Sequence, residues 1–300
     1  MADSAPGSSV PPELPVHEEI LDWYADGART LPWRAPGVGP WQVMVSEVML
    51  QQTPVSRVLP AYDAWIARWP TPSALAAEPS GEAIRMWGRL GYPRRALRLH
   101  AAATVMETHY DGQVPATYDA LRALPGIGDY TAAAVCAFAY RHRTVVLDTN
   151  VRRVLSRVWE GIAHPATHVT AAERDRAANM LPEDPEQAAR WSVAVMELGA
   201  LVCTARAPAC HRCPVAHACT WHRAGNPPHP GPPRRGQTYA GTDRQCRGRI
   251  LALLRDSHAP VPLPAVDEVW GDVDQRQRAL TTLIDDGLVV ETGAGALTLP

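Results

Sequence analysis

The 300-residue sequence contains no lysine, so arginine supplies all 29 of its basic side chains. A mechanism that needs a lysine amine, such as Schiff-base formation with a carbonyl compound, is therefore excluded. The sequence also lacks an apolar run of about 20 residues, the length that a membrane-spanning helix requires. Its first fifteen residues contain neither the basic nor the apolar part of a secretory signal. We therefore expect a cytoplasmic protein with no membrane partner.

Charge is unevenly distributed, although the formal net charge is only −2. Residues 1–26 hold six acids and no arginine, whereas one later group of arginines is free of acids and another surrounds a single carboxylate, Asp148. These groups are Arg85, Arg89, Arg94, Arg95 and Arg98, and Arg141, Arg143, Arg152, Arg153 and Arg157. Such clusters suit a polyanionic partner, but charge alone is equally consistent with solvated helix faces.

Apolar residues recur at helical spacing through the first 200 residues, with few alternating runs, which predicts an all-α fold. Proline, glycine and serine predict a disordered leader at 1–15 and a proline-rich linker at 224–242. The main helical domain is then expected at 16–223 and a small domain at 243–300.

Three helices followed by two strands are predicted in the small C-terminal domain, a pattern typical of a winged helix. This segment holds nine acids against six arginines. Its composition therefore favours simple packing or docking of a protein partner over DNA reading.

Four of the six cysteines, Cys203, Cys210, Cys213 and Cys219, fall within seventeen residues. In a cytoplasmic protein this density favours a metal site over disulfides. Zinc sites usually pair two CxxC motifs and only one exists here, so a single 4Fe–4S cluster fits better, with zinc as the alternative. No acid occurs between residues 203 and 242, which also suits a scaffold facing a polyanion. Cys136 and Cys246 are expected to be ordinary thiols.

The stretch LPGIG at 124–128 lies between two helical segments and predicts a helix-hairpin-helix turn. Gly126 and Gly128 would let the backbone approach a phosphate, and the N–H groups of the next helix would face that anion. A glycine-containing helix connection is often only a turn. Its combination with a cysteine loop downstream is much more specific.

Several stretches together resemble the helix-hairpin-helix DNA glycosylases with an iron–sulfur cluster, most closely the adenine DNA glycosylases of the MutY family. Besides the four cysteines they are LPWR (31–34), SEVMLQQT (46–53), WGRLGY (87–92), LPGIGDYTAAAV (124–135), LDTNVRRVLSR (147–157) and MELGALVC (196–203). The resemblance spans roughly residues 16–223, and SEVMLQQT is its most specific element because the related endonuclease III enzymes differ there. It implies one 4Fe–4S cluster and a monomeric bacterial enzyme, associated with the nucleoid, that acts on double-stranded DNA with a mispaired adenine.

Release of adenine needs a proton on the leaving base and negative charge near the developing oxocarbenium ion, and Glu47 and Asp148 fit these two roles. Glu47 lies in an apolar helical stretch, so desolvation is expected to raise its pKa toward that of a general acid. Asp148 is expected to cap the following helix and to be kept ionised by the helix dipole and nearby arginines. The alternative for Asp148 is a plain N-cap, and the alternative for Glu47 is a carboxylate bonded to backbone at the edge of the core.

Tyr130 stands where glycosylases that also cut the backbone carry a lysine, so the resemblance implies a monofunctional enzyme that leaves an abasic site. It also implies that Tyr130 and Asn150 position Asp148 and the sugar. The remaining implied contacts are an adenine pocket of Arg29, Trp33 and Glu197, and insertion of Gln52 and Tyr92 into the base stack. Trp33 and Tyr92 are also compatible with core aromatics.

The sequence departs from the family at its C-terminal end. Many adenine glycosylases continue into a larger, Nudix-like domain that recognises 8-oxoguanine in the opposite strand, whereas 58 residues follow the linker here. Preference for 8-oxoguanine over guanine is therefore the least supported expectation. Pro93 after Tyr92 and Thr149 after Asp148 also differ from common forms of the motifs.

Two other functions remain compatible with the sequence. One is a glycosylase of the same fold that acts on mismatched thymine or another base, and the other is a non-catalytic, cluster-containing DNA-binding protein. SEVMLQQT and the pair of carboxylates favour adenine opposite 8-oxoguanine or guanine.

Overall fold

Short polar side chains and prolines set the starts of many helices in this chain. Thr117 and Asp148 accept hydrogen bonds from the first-turn N–H groups of the helices that they precede, and Pro40 occupies a position where a missing donor costs nothing. The structure is a computed structural model that describes residues 13–229, 239–293 and 295–300.

The described part of the chain is mostly helical, as predicted. Its helices are α1 (Glu13–Gly27), α2 (Pro40–Leu50), α3 (Val55–Arg68), α4 (Pro72–Ala76), α5 (Ser80–Trp87), α6 (Arg94–His109), α7 (Tyr118–Ala123), α8 (Asp129–Tyr140), α9 (Thr149–Val158), α10 (Ala171–Asn179), α11 (Pro185–Leu201), α12 (Thr220–Arg223), α13 (Asp243–Asp256), α14 (Leu263–Asp267) and α15 (Val273–Asp285). Short 3₁₀ turns occur at Pro32–Arg34 and Cys210–Arg212, and three strands are β1 (Val261–Pro262), β2 (Val290–Glu291) and β3 (Ala296–Thr298). The short helices α4 and α12 were not predicted.

Most of the predicted leader, residues 1–12, and residues 230–238 of the predicted linker lie outside the described residues. None of the described helices is long and apolar enough to cross a membrane. The proposed domain boundaries stay predictions.

The described part of the chain forms two compact units, one of residues 13–30 and 136–229 and the other of residues 31–135, 239–293 and 295–300. In the first unit, α1, α9 and α11 bury an apolar core that includes Ile20, Val154 and Leu198. In the second unit, Trp65 makes edge-on contacts with Trp69 and Trp87 at ring separations of 4.6 and 5.6 Å. Tryptophan thus supplies much of the aromatic core in a chain that has a single phenylalanine.

The C-terminal segment has the predicted winged-helix pattern, and it lies within the second unit. Its antiparallel sheet has the order β1-β3-β2, with Val261 opposite Leu297 and Val290 opposite Thr298. Strand β1 was not predicted, because its second residue is a proline, which is tolerated only at a sheet edge.

Direct packing joins the C-terminal segment to α5. Ile84 of α5 shares an apolar cluster with Ile250 and Leu254 of α13. The Gly81 N–H at the start of α5 also donates to the Pro300 carbonyl oxygen at 2.6 Å. These contacts place α13 beside α5 in the same unit.

Candidate active site and cluster loop

Helix α2 presents Glu47 as a buried carboxyl. Every residue from Val43 to Met49 is buried, and Glu47 is 6 % exposed. The Tyr130 hydroxyl at the start of α8 donates to Glu47 Oε2 at 2.7 Å. Sequence reasoning assigned Tyr130 to Asp148 and the sugar, and did not foresee this bond to Glu47. The structure therefore brings Glu47 and Tyr130 together in one unit, across 83 residues of sequence.

The two glycines of the LPGIG turn have different surroundings. Gly126 has φ +76°, and a Cβ built there would lie 2.5 Å from the Cβ of Arg98, so both the backbone and the space require glycine. A Cβ at Gly128 would meet no described atom within 4 Å. The turn is thus closed on the Arg98 side and open at Gly128, where helix α8 begins.

Asp148 caps α9 as predicted. Its Oδ1 accepts from the backbone N–H of Asn150 at 2.9 Å and of Val151 at 2.6 Å, and its Oδ2 accepts from the Asn150 side-chain amide at 2.8 Å.

Burial raises the pKa of Asp148 above its usual value, and it outweighs the hydrogen bonds from Val151 and Asn150 and the charge of Arg153, which lower it. Desolvation is thus the largest influence on this carboxyl, which the sequence did not predict, and the expectation that Asp148 stays ionised remains a prediction.

A buried arginine, Arg153, links the residues around Asp148 to the cysteine loop. Its guanidinium donates to Asn150 Oδ1 at 2.8 Å, to the Gly199 carbonyl at 2.7 Å and to the Cys203 carbonyl at 2.7 Å. A Cβ on Gly199 would lie 2.8 Å from the Asn150 carbonyl oxygen, so α9 and α11 meet with no room for a side chain. Asn150 is held on one side by Arg153 and on the other by Gly199.

Arg29 and Glu197, two of the predicted pocket residues, form a bidentate ion pair. Arg29 Nε and Nη2 donate to the two Glu197 carboxylate oxygens at 2.6 and 2.7 Å, and the Arg29 backbone N–H donates at 3.2 Å. Glu197 is fully buried, whereas the Arg29 side chain is one-third exposed. The hydrogen bond to Glu197 raises the pKa of Arg29. The pair presents a fixed polar surface where the guanidinium reaches solvent.

Trp33, the third predicted pocket residue, is buried and packs edge-on against Tyr62, with ring centroids 5.1 Å apart. This contact agrees with the alternative that Trp33 is a core aromatic. Its assignment to the adenine pocket stays a prediction.

Gln52 and Tyr92, the predicted insertion residues, are both exposed and both have left-handed backbone conformations, with φ +56° and φ +48°. Non-glycine residues held in this region carry strain that is often found at functional sites. The two residues line the same groove in the second unit.

Arg95 organises both of these strained segments, and sequence reasoning missed it. The guanidinium is buried, and its acceptors are the carbonyls of Val48 (2.8 Å), Met49 (3.1 Å), Gln51 (2.6 Å) and Gly91 (3.1 Å) and the Thr53 hydroxyl (3.0 Å). Burial lowers the pKa of Arg95 to about 10. The only signal in the sequence was its place in an acid-free group of arginines, which does not separate Arg95 from its neighbours.

The four predicted cluster ligands converge on one small cavity. Cys203, Cys210, Cys213 and Cys219 line it together with apolar side chains of α9 and α11. No group of three or more His, Cys, Asp or Glu side chains among the described residues is close enough to hold a single metal ion. Four thiols that share one cavity suit a cluster, which takes one thiolate at each iron.

A buried cation and an apolar environment both lie against the cysteines, and they act on the thiols in opposite directions. The guanidinium of Arg157, 2 % exposed, lies 3.4 Å from the Cys203 sulfur and 4.4 Å from the ring centre of Trp221. Burial raises the pKa of the Cys213 thiol to about 12. Cys136 and Cys246 are buried, as expected for ordinary thiols.

Comparisons with known proteins agree with this geometry. A family model described as HhH-GPD superfamily base excision DNA repair protein matches residues 45–178, and the iron-sulfur binding domain of endonuclease III matches residues 203–219. The loop at 203–219 thus holds the 4Fe–4S cluster that the cysteine spacing predicted.

Close relatives cover nearly the whole chain. An adenine DNA glycosylase of Mycobacterium tuberculosis (strain ATCC 25618 / H37Rv) is 51 % identical over 94 % of this chain and 92 % of its own length. An adenine DNA glycosylase of Mycolicibacterium smegmatis is 53 % identical over 94 % of each chain. Among solved structures, a thermostable thymine-DNA glycosylase matches with a TM-score of 0.64 and 25 % identity, covering 71 % of this chain and 97 % of that chain.

Proposed function

The chain belongs to the adenine DNA glycosylase family of base excision repair, and we propose that it hydrolyses the N-glycosidic bond of adenine mispaired with 8-oxoguanine or guanine. The observation that carries this proposal is Glu47, a buried carboxyl with the Tyr130 hydroxyl on Oε2 at 2.7 Å. We further propose that the enzyme acts as a monomer on double-stranded DNA of the nucleoid.

Glu47 is the general acid in this mechanism. An apolar environment favours the protonated form of a carboxyl group, and a protonated carboxyl can deliver its proton to a ring nitrogen of the leaving adenine. The Tyr130 hydroxyl fixes the orientation of the Glu47 carboxyl group. Protonation makes adenine a better leaving group, and water completes the hydrolysis at the sugar carbon.

Asp148 supplies negative charge to the oxocarbenium ion, either through space or through a transient bond to the sugar carbon. The side chain of Asn150 and two backbone N–H groups hold this carboxylate in one orientation. Burial raises the pKa of Asp148, and these donors act against that shift because they favour the ionised form. Tyr130 and Asn150 are therefore positioning residues.

Base release should occur without strand cleavage. Tyr130 occupies the position at which lyases of this superfamily carry a lysine, and the sequence contains no lysine to replace it. The product is an abasic site in an intact strand.

The remaining residues bind the extruded nucleotide and the DNA around it. Arg29 and Glu197, with Trp33, contact the adenine, while Gln52 and Tyr92 fill the gap that it leaves in the stack, which offsets part of the cost of base flipping. Gly126 and Gly128 allow a phosphate to approach the start of α8. Cys203, Cys210, Cys213 and Cys219 hold the 4Fe–4S cluster, which when bound fixes the arginine-containing loop between its ligands.

A panel of duplexes tests this proposal. Adenine opposite 8-oxoguanine, guanine, cytosine or thymine, and thymine opposite guanine, would be incubated with excess iron-loaded enzyme, and strand breaks scored before and after alkali. We expect adenine release opposite 8-oxoguanine and guanine, with breaks only after alkali, and its loss in Asp148→Asn. Breaks before alkali would refute the monofunctional mechanism, and wild-type activity in Asp148→Asn would refute the role of that carboxylate.

A thymine glycosylase is the second candidate, because a thymine-DNA glycosylase is among the matching structures. Release of thymine opposite guanine, with adenine left intact in all duplexes, would support it over the first.

A further inference from the structure

The charged side chains that line a large open groove in the second unit are nearly all arginines. Its volume is about 1210 Å³, and nine of the residues that line it are arginines. The exposed ones are Arg57, Arg89, Arg94, Arg98, Arg244 and Arg249. Within the described chain, one carboxylate lines the groove, Asp286, and it is paired with Arg94 at 3.1 Å and Arg247 at 2.5 Å. An excess of guanidinium groups over carboxylates in a concave surface favours a polyanionic ligand.

The C-terminal segment supplies one wall of this groove. Four of its six arginines, Arg244, Arg247, Arg249 and Arg255, line the groove from α13, whereas eight of its nine acids lie elsewhere. The acidic composition of the segment therefore conceals a basic face. The expectation that this segment avoids DNA was based on its total charge. Binding in the groove depends instead on where the charged side chains lie.

Tyr92 projects at the other wall of the groove. The side chain is 47 % exposed, and the guanidinium groups of Arg95 and Arg244 lie 5.5 and 5.8 Å from the centre of its ring. Gln52 lines the same groove. An exposed aromatic ring among cations is the combination that stacks on a base while the neighbouring charges hold the backbone.

We propose that this groove binds the phosphate backbone of the DNA strand opposite the adenine. The inference rests on the proposed function: side chains that fill the gap left by an extruded base stand against the orphaned partner base, so the surface next to them meets the partner's strand. Guanidinium groups bind phosphate oxygens in pairs and remain charged at any physiological pH. The winged-helix segment then contributes to DNA binding through α13 and clamps the duplex beside Tyr92.

The first test measures the salt dependence of binding. Arg244→Gln and Arg89→Gln remove one guanidinium from each wall, and Arg278→Gln removes one from α15 of the same segment, outside the groove, as the matched control. The probe is a duplex with a tetrahydrofuran abasic analogue opposite 8-oxoguanine, titrated by fluorescence anisotropy at several salt concentrations. Each groove variant should reduce the slope of log K against log salt by about 0.9, the value for one phosphate contact. Arg278→Gln should leave both the slope and base release unchanged.

The second test assigns the strand. Phosphates next to the lesion site are replaced by uncharged methylphosphonates in one strand at a time. With the substitution in the 8-oxoguanine strand, Arg244→Gln should cause no further loss of affinity, whereas with the substitution in the other strand its effect should persist. The proposal would be overturned if only substitution in the adenine strand abolished the effect of Arg244→Gln. It would also be overturned if the groove variants had the same salt slope as Arg278→Gln.

The proposed function and the groove fail in different ways. If the wild-type enzyme releases adenine and neither groove variant changes the salt slope, the proposed function stands and the groove proposal is refuted. If the groove variants change the salt slope as predicted but the wild-type enzyme releases no adenine, the proposed function is refuted and the groove remains a DNA-binding site.

Discussion

Replacing Arg95 by methionine should destabilise the protein and loosen the segments that carry Gln52 and Tyr92. Methionine keeps an unbranched side chain of similar length but has no donor for the five acceptors that the guanidinium now satisfies. Because the site is 8 % exposed, water cannot readily replace the lost hydrogen bonds.

Two opposing contributions determine the size of this effect. Five acceptors at about 1–1.5 kcal/mol each amount to about 5–7.5 kcal/mol. Burial of the charge lowers the pKa of Arg95 to about 10, which corresponds to about 3 kcal/mol that methionine does not incur. The difference, about 2–4 kcal/mol, is the expected loss in free energy of unfolding.

Urea denaturation followed by circular dichroism would measure this loss. The control is Arg68→Met, which removes a partly exposed guanidinium from Glu78 and Glu82 and should cost less than about 1 kcal/mol. Fluorescence of 2-aminopurine at the adenine position would report base extrusion, which should fall in Arg95→Met. Equal unfolding free energies for Arg95→Met and Arg68→Met would refute the reasoning, because the buried hydrogen bonds would then contribute no more than a surface pair.

Two further predictions concern the other unit. Asn150→Leu removes a hydrogen-bond donor that lowers the pKa of Asp148. Because base release needs the carboxylate, its rate should begin to rise at a higher pH in this variant than in the wild type. An acid limb of the pH–rate profile that stays in place or moves to lower pH would contradict the positioning role. Cys213→Ser should lose the visible absorbance of the cluster and affinity for duplex DNA together, and an iron-free variant that still binds DNA normally would count against a scaffold role for the cluster.

The sequence by itself determined the features that depend on local spacing. Helical periodicity and capping residues predicted most helices, including the N-cap at Asp148, since a cap is a contact between residues two or three positions apart. The four cysteines predicted the cluster loop, and the absence of lysine excluded a Schiff base formed by a lysine amine. These inferences needed only residue types and short distances along the chain.

Tertiary structure decided which distant groups meet and how much water remains around them. The bond from Tyr130 to Glu47, four of the five hydrogen bonds of Arg95 and the groove between Tyr92 and α13 all bring together residues more than 35 positions apart in the sequence. The direction of the pKa shift at Asp148 also depended on burial, which outweighs the local hydrogen bonds that the sequence did predict. Desolvation and long-range contact are properties of the packed chain, so no pattern of neighbouring residues could have supplied them.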